Sequence, residues 1–253
     1  MKKILVPALL ATVVGTFSSM AQAAEPESTL AFNAGVVSEY RYRGLSQTRF
    51  DPALQGGVDY TDKSGFYVGA WGSTIKWIKD LGASKGSVEL DLYGGYKGAV
   101  GDVAYDLGFL RYEYAGNKLA GVGAYTNAST NEVYGALTYG LFTAKYSHAI
   151  SDLFGNPDSK NSYYLDLSAT VDLGDGYSLV PHVGYQKLKG ALNTDGSYTD
   201  YALTLAKDLG SGLSVTGAVV GTNASKDFYY TPGRAGVEGL GKTGVVLGLK
   251  YTF

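Results

Sequence analysis

Carboxylates at every second position are the residues of this chain best placed to do chemistry. Glu89 and Asp91 flank Leu90, and Leu92 follows on the same side as Leu90. The segment around Asp166 repeats this alternation. Successive side chains of a β-strand point to opposite faces, so each segment would have one charged face and one apolar face. Charged faces of this kind can attract ions and hydrogen-bond hydrophilic solutes.

The histidines His148 and His182 are the residues that could serve as a general base in hydrolysis. Such catalysis needs a nucleophile within hydrogen-bond reach of the base. His148 shares a face with Tyr146, whereas Ser147 points the other way. His182 lies on the opposite face from Val183, and no serine occupies a convincing position beside it. We therefore predict no catalytic residue, and an enzyme is kept as a lesser alternative.

Composition and spacing also argue against several partners. The loop Asp152–Asp158 offers oxygen ligands, but it lacks the spacing and the closing carboxylate of a calcium loop, so no metal site is predicted. No cofactor site is predicted either. Removing Lys2 and Lys3 from the 21 basic residues leaves 19 against 23 acidic ones, a net charge of −4. That balance does not favour nucleic acid as a partner.

Twelve segments with period-two alternation supply the elements that must position the charged residues. They span residues 30–40, 53–61, 66–75, 87–96, 103–114, 131–139, 141–151, 163–172, 177–187, 198–207, 213–222 and 243–253. Short and long connections alternate between them, which is typical of barrels with short periplasmic turns and longer outer loops. The sequence therefore predicts one all-β domain over residues 24–253, an antiparallel up-and-down transmembrane barrel of about twelve strands with periplasmic termini.

The same parity predicts which charged side chains face the lumen of this barrel. A basic residue facing lipid at mid-bilayer costs about 2–4 kcal/mol, so the charged faces must point inward. The predicted lumen residues are Glu39, Arg41, Arg43, Asp59, Glu89, Asp91, Asp106, Glu132, Lys145, Asp166, Asp172, His182, Asp200 and Lys250. Acids outnumber bases in this set, which predicts a weak preference for cations.

Both ends of the chain carry export and assembly signals. Residues 1–23 have a basic start, an apolar run and an Ala-Gln-Ala end, which predicts a cleaved signal peptide. The last segment alternates apolar with small or polar residues and stops at Phe253. A terminal aromatic of this kind resembles the signal read by the barrel-assembly machinery, so we expect that machinery and outer-membrane lipid as partners.

The segments Ser38–Thr48 and Pro52–Tyr60 carry a family resemblance. Their Tyr-Arg-Gly-Ser-Gln run and following Pro-Ala-Gln-Gly block resemble the amino-terminal signature of the TorF-type porin family of Gram-negative bacteria. The signature covers about the first quarter of the mature chain. The resemblance implies an outer-membrane location and a channel role.

The residues of this signature also have a physical interpretation. Continuing the parity of the first segment puts Tyr40 and Tyr42 in an outer aromatic girdle facing lipid. The charged residues of 39–43 would point inward at the mouth of the barrel. Arginine binds carboxylates bidentately, so these residues would pin the first loop to Asp59 or Glu89, or form a charged constriction.

The sequence thus predicts a porin-like channel for passive diffusion of small hydrophilic solutes or ions. An alternative is a structural or adhesive barrel, with a closed lumen and functional outer loops. No apolar stripe marks a contact between subunits, so the sequence assigns no oligomeric state.

Overall fold

The fold is described from a computed structural model that defines residues 28–191, 193–230 and 239–253. The predicted signal peptide, residues 1–23, lies outside the described residues. The strands are β1 (Thr29–Val37), β2 (Arg41–Tyr42), β3 (Leu45–Ser46), β4 (Ala53–Thr61), β5 (Phe66–Thr74), β6 (Val88–Val100), β7 (Val103–Tyr114), β8 (Thr130–Tyr139), β9 (Phe142–Ala149), β10 (Tyr163–Ala169), β11 (Val171–Gly174), β12 (Tyr177–Lys187), β13 (Tyr198–Gly210), β14 (Leu213–Thr222) and β15 (Gly244–Thr252).

All of these strands except β2 and β3 form one antiparallel sheet that closes on itself. β1 pairs with both β4 and β15, while β10 pairs with both β9 and β12. β10 and β11 keep one register against β12 and together make a single wall strand, interrupted at Thr170. The wall is therefore a closed barrel of twelve strands, which confirms the architecture predicted from the sequence.

The two faces of the wall differ sharply in chemistry. On β6, Glu89 and Asp91 are buried inside the barrel, whereas Leu90 and Leu92 are exposed outside it. The other wall strands repeat this pattern, and leucine, valine, phenylalanine and tyrosine side chains dominate the exposed face. A continuous apolar surface of this extent matches lipid rather than water.

Connections of two lengths define two ends of the barrel. The turn end carries the short links, the start of β1 and the end of β15, with Asp175–Gly176 and Ser211–Gly212 as two-residue turns. All four residues have positive φ, the backbone conformation of a type I′ hairpin turn, and glycine adopts it without steric cost. The loop end carries the longer connections, at residues 38–52, 75–87, 115–129, 150–162, 188–197 and 223–243.

The loops pack against one another at the loop end. Short helices lie in three of them, α1 (Trp77–Asp80), a 3₁₀ turn (Leu119–Gly121) and α2 (Asn193–Gly196). Ile78, Leu119 and Leu188 are fully buried there, so the loop end has an apolar core of its own. Within the described residues, no helix is both long and apolar enough to cross a membrane.

Candidate functional site

Five of the interior charged residues lie on one row of cross-strand neighbours. The row passes, strand by strand, through Lys97, Asp106, Ala136, Lys145, Asp166, Gly184 and Asp200. Lys97 is near the turn end of β6 and Asp200 is near the loop end of β13. The row therefore runs along the inner wall from near the turn end of the barrel to near its loop end.

Burial divides the interior into two halves. Toward the loop end, the side chains of Glu89, Asp91, Glu132 and Asp200 are buried. Toward the turn end, Tyr67, Ser178 and Ala206 are buried, but many polar interior side chains are only half-buried, among them Asn33, Asp59, Lys97, Asp106, Thr143, Ser168 and Lys250. The interior is thus packed at the loop end and accessible to water from the turn end.

The packing at the loop end comes from the first loop, residues 38–52, whose β2–β3 hairpin folds into the barrel. At its tip, Arg43 Nη2 lies 2.8 Å from Glu132 Oε2 on β8, and Arg43 Nη1 donates to Gln186 Oε1 on β12 at 2.6 Å. The guanidinium also lies 4.4 Å from the ring centroid of Tyr164 on β10. Burial opposes the charge on Arg43, but Glu132, Tyr42 and Tyr112 together outweigh burial and raise the pKa of the guanidinium well above its ordinary value.

Tyr40 is buried and Tyr42 is half-buried inside the barrel, which corrects the prediction that these two tyrosines face lipid. Tyr40 donates to Glu89 Oε1 at 3.1 Å, and the hydroxyls of Tyr42 and Tyr112 are 2.6 Å apart. The prediction failed because the chain leaves the wall after β1, so the strand parity no longer applies. Arg43 pairs with Glu132 instead of the predicted Asp59 or Glu89.

Arg41 fixes the base of the hairpin through local contacts. Its Nη2 lies 2.9 Å from Glu39 Oε1, and its Nη1 donates to the carbonyl oxygens of Gly44 and Lys242. Both charged side chains are buried. Glu39 and Arg41 therefore neutralise one another within the first loop and join it to the loop before β15.

Gly44 lets the hairpin tip approach the opposite wall. Its φ is +77°, and a Cβ atom at this position would lie 2.4 Å from Thr222 Cγ2 and 2.7 Å from Asp200 Cβ. An alanine would therefore both strain the turn and collide with β13 and β14. The hairpin region therefore contacts strands from β6 to β14 across the lumen.

His182 lies just below the hairpin, between two carboxylates. Its Nε2 is 3.2 Å from Asp166 Oδ2 and its Nδ1 is 3.6 Å from Asp200 Oδ1. Tyr164 donates to both oxygens of Asp200, at 3.1 and 3.0 Å. Ser168 is the cross-strand neighbour of His182, yet the imidazole is directed at the carboxylates. His182 Nε2 is hydrogen-bonded to Tyr164 and Asp166, and Ser168 does not make the serine–histidine hydrogen bond that a serine hydrolase uses.

The interior lysines are held by tyrosine rings. Lys97 Nζ lies 4.2 Å from the ring centroid of Tyr67, and Lys145 Nζ lies 4.0 Å from that of Tyr134. Among the described residues, no carboxylate oxygen lies within 4.0 Å of either ammonium or of Lys250. Lys97 was not among the predicted lumen residues, although the parity of Glu89 would have placed it there.

The remaining predicted residues are spread along the interior. Asp59 accepts a hydrogen bond from Tyr93 at 2.5 Å and Asp106 accepts one from Tyr67 at 2.6 Å. Asp172 is exposed at the turn end, where its carboxylate accepts a hydrogen bond from Gly174 N and meets none of the other predicted residues.

Two further residues lie on the outside of the wall. Phe253 is exposed and stacks on Phe32 and Tyr251. His148 contacts Tyr146 and Asn161 through its two ring nitrogens. In the residues that the structure defines, no group of histidine and acidic side chains could hold a metal ion.

Comparison with protein families gives one match over nearly the whole chain. Residues 21–253 match the family model described as "Bacterial protein of unknown function (Gcw_chp)". Among curated proteins, none has a sequence that matches this chain.

Solved structures with the same architecture include porins and an outer-membrane channel. A KdgM porin superposes with a TM-score of 0.51 at 9% identity, covering 89% of this chain and 99% of that one. A KdgM porin in complex with disordered oligogalacturonate gives 0.51 at 8% identity with the same coverage. The COG4313 outer membrane channel from Pseudomonas putida F1 gives 0.51 at 12% identity, covering 94% and 99%. At sequence identities this low, the structural similarity establishes the fold alone.

Proposed function

This chain belongs to the Gcw_chp family of bacterial proteins, and we propose that it is an outer-membrane channel for passive diffusion of small hydrophilic solutes or ions. The observation that carries the proposal is a closed barrel with an apolar outer face and charged interior side chains that water reaches. Lys97, Asp106 and Lys250 are half-buried inside a wall whose outer face is exposed leucine and valine. A barrel that needed only a filled core would not keep such charges hydrated.

The inner charges favour small cations over anions. Carboxylates outnumber basic groups among the interior residues, and the row from Lys97 to Asp200 ends in acids at its loop end. A ring of acidic side chains is a common basis of cation preference in pores. One structural relative is described as holding oligogalacturonate, a polyanion, and the acidic interior of this chain disfavours a solute of that charge.

The first-loop hairpin forms the narrowest part of the path. It contacts Glu132 on β8, Gln186 on β12 and Thr222 on β14, so it crosses the barrel at the level where interior side chains are buried. This supports the constriction interpretation of the first loop. The same ion pair also supports the pinning interpretation, although its carboxylate is Glu132 and not the expected Asp59 or Glu89.

Location and assembly follow from the same proposal. The chain would be exported by cleavage of residues 1–23 and inserted by the barrel-assembly machinery through the Phe253 signal, with both termini in the periplasm. The resemblance to the TorF-type porin family supports this location.

A second candidate is a structural barrel whose outer loops carry the function. The buried Ile78, Leu119 and Leu188 favour it, because they give the loop end a packed core that would close a lumen. The two candidates differ in one observable, which is conductance.

The deciding experiment is single-channel recording of the refolded mature protein in planar bilayers under a salt gradient. Discrete steps with a cation-directed reversal potential are the expected result. A fully folded barrel, verified by heat-dependent migration in gels, that conducts no ions would reject the channel and favour the structural barrel.

A further inference from the structure

His182 occupies the boundary between the packed and the accessible halves of the barrel. Its side chain is 15% exposed and that of Asp166 is 12% exposed, whereas that of Asp200 is 2% exposed. The His182 and Asp166 side chains are therefore partly exposed to the lumen, while Asp200 is covered by the hairpin tip at Gly44. A change of charge here would act at the entrance of the constriction.

Charged and titratable groups face His182 from every neighbouring element. Its own strand β12 is flanked by β10, which carries Tyr164 and Asp166, and by β13, which carries Asp200. Beyond these lie Lys145 of β9, the cross-strand neighbour of Asp166, and Arg43 of the hairpin over the Tyr164 ring. β11 adds Asp172, which lies at the turn end.

The geometry excludes two other uses of this cluster. The two imidazole nitrogens are directed at different carboxylates, so His182, Asp166 and Asp200 do not converge on one metal ion. Asp200 is already engaged by Tyr164, whose hydroxyl also lies 3.2 Å from the imidazole Nε2, and in the described part of the chain no serine or threonine hydroxyl bonds to that ring. The imidazole of His182 has a carboxylate on each side, so its protonated form would lie between two negative charges.

We propose that His182 is the proton-sensitive residue that sets how strongly this channel prefers cations, an inference that rests on the proposed channel function. With a neutral imidazole, Asp166 and Asp200 present their full negative charge at the constriction. With a protonated imidazole, one of those charges is cancelled. Histidine is the side chain whose charge ordinarily changes within the physiological pH range, so cation preference strengthens as pH rises through that range.

The chain provides a matched control for testing this inference. It contains two histidines, and His148 lies on the outer face of the wall, away from the interior charges. Reversal potentials would be measured under a KCl gradient at about pH 5 and about pH 8, the limits between which histidine ordinarily titrates. The proteins compared are the unmodified barrel, His182→Asn and His148→Asn.

The expected result is a cation-over-anion permeability ratio that rises roughly threefold from the lower to the higher pH in the unmodified protein. His148→Asn should keep this change and His182→Asn should lose it. An unmodified channel whose ratio is independent of pH, or a His182→Asn channel that keeps the full dependence, would overturn the inference.

A second measurement separates this inference from the proposed function. NMR of the barrel with isotope-labelled histidine, in lipid nanodiscs, follows the charge of each imidazole without any need for conduction. Spectra recorded between about pH 5 and about pH 8 should show the His182 signal changing with protonation, and this change should be altered in Asp166→Asn. A His182 signal that does not titrate in this range refutes the proton-sensitive role, even in a conducting barrel. If the barrel conducts no ions but the His182 signal titrates, the channel function is refuted while the proton sensitivity of His182 is not.

Discussion

Arg43 and Glu132 form an ion pair that is buried on both sides, with side-chain exposures of 6% and 1%. Removing one partner of such a pair leaves the other charge without a partner in a poorly hydrated site. The sequence indicated that Arg43 points inward and pairs with a carboxylate. It could not indicate which carboxylate, because residues 43 and 132 are brought together by the fold of a loop, for which strand parity gives no rule.

Replacing Arg43 with methionine should destabilise the barrel by about 3–5 kcal/mol, because Glu132 would remain buried without its cation. The free energy of unfolding can be measured by urea titration of the protein folded into liposomes. Glu132 keeps a hydrogen bond from Tyr112 at 3.2 Å, which favours the lower end of that range.

Arg49 provides the control for this substitution. It lies in the same loop and pairs with Asp80, but its side chain is 28% exposed, so Arg49→Met should cost no more than about 1 kcal/mol. The double variant Arg43→Met with Glu132→Gln should recover much of the lost stability. Equal costs for Arg43→Met and Arg49→Met would contradict the anchoring role of Arg43.

At the scale of elements, the wall strands were predictable and the hairpin was not. Period-two alternation located all twelve wall strands, because each has lipid on one side and polar side chains on the other. The first strand was extended too far, to residue 40. It ends at Val37 because the Ser38 hydroxyl accepts a hydrogen bond from Leu247 N and closes the ladder with β15.

Removing the hairpin should widen the channel. Gln47 N donates to Tyr40 O at 2.7 Å, so two glycines can join these residues in place of residues 41–46 without disturbing the wall. We expect the single-channel conductance to rise by roughly a factor of two or more, because the narrowest section of the lumen would be gone.

A deletion elsewhere at the loop end tests whether this effect belongs to the hairpin. Gly123 and Ala124 are exposed in the loop of residues 115–129, and their removal should leave conductance unchanged. If the glycine-bridged variant conducts like the unmodified barrel while remaining heat-modifiable, the hairpin is not the constriction.

At the scale of the whole molecule, the apolar outer face implies a definite depth in a bilayer. Leu203 lies at the middle of β13 and Leu209 near its turn end, and both point outward with similar exposures of 49% and 52%. An arginine at mid-bilayer costs about 2–4 kcal/mol, and near the interface about 0–1 kcal/mol. The two positions therefore differ in depth but hardly in packing.

Leu203→Arg should lower the free energy of unfolding in liposomes by about 2–3 kcal/mol more than Leu209→Arg does, because only the central arginine must leave water for hydrocarbon. Urea titrations of both variants against the unmodified barrel would measure the difference. The strand and the substitution are shared, so propensity and lost leucine contacts largely cancel. Equal costs at the two positions would mean that the middle of β13 does not lie at the centre of a bilayer, and the membrane-spanning interpretation of the apolar face would fail with it.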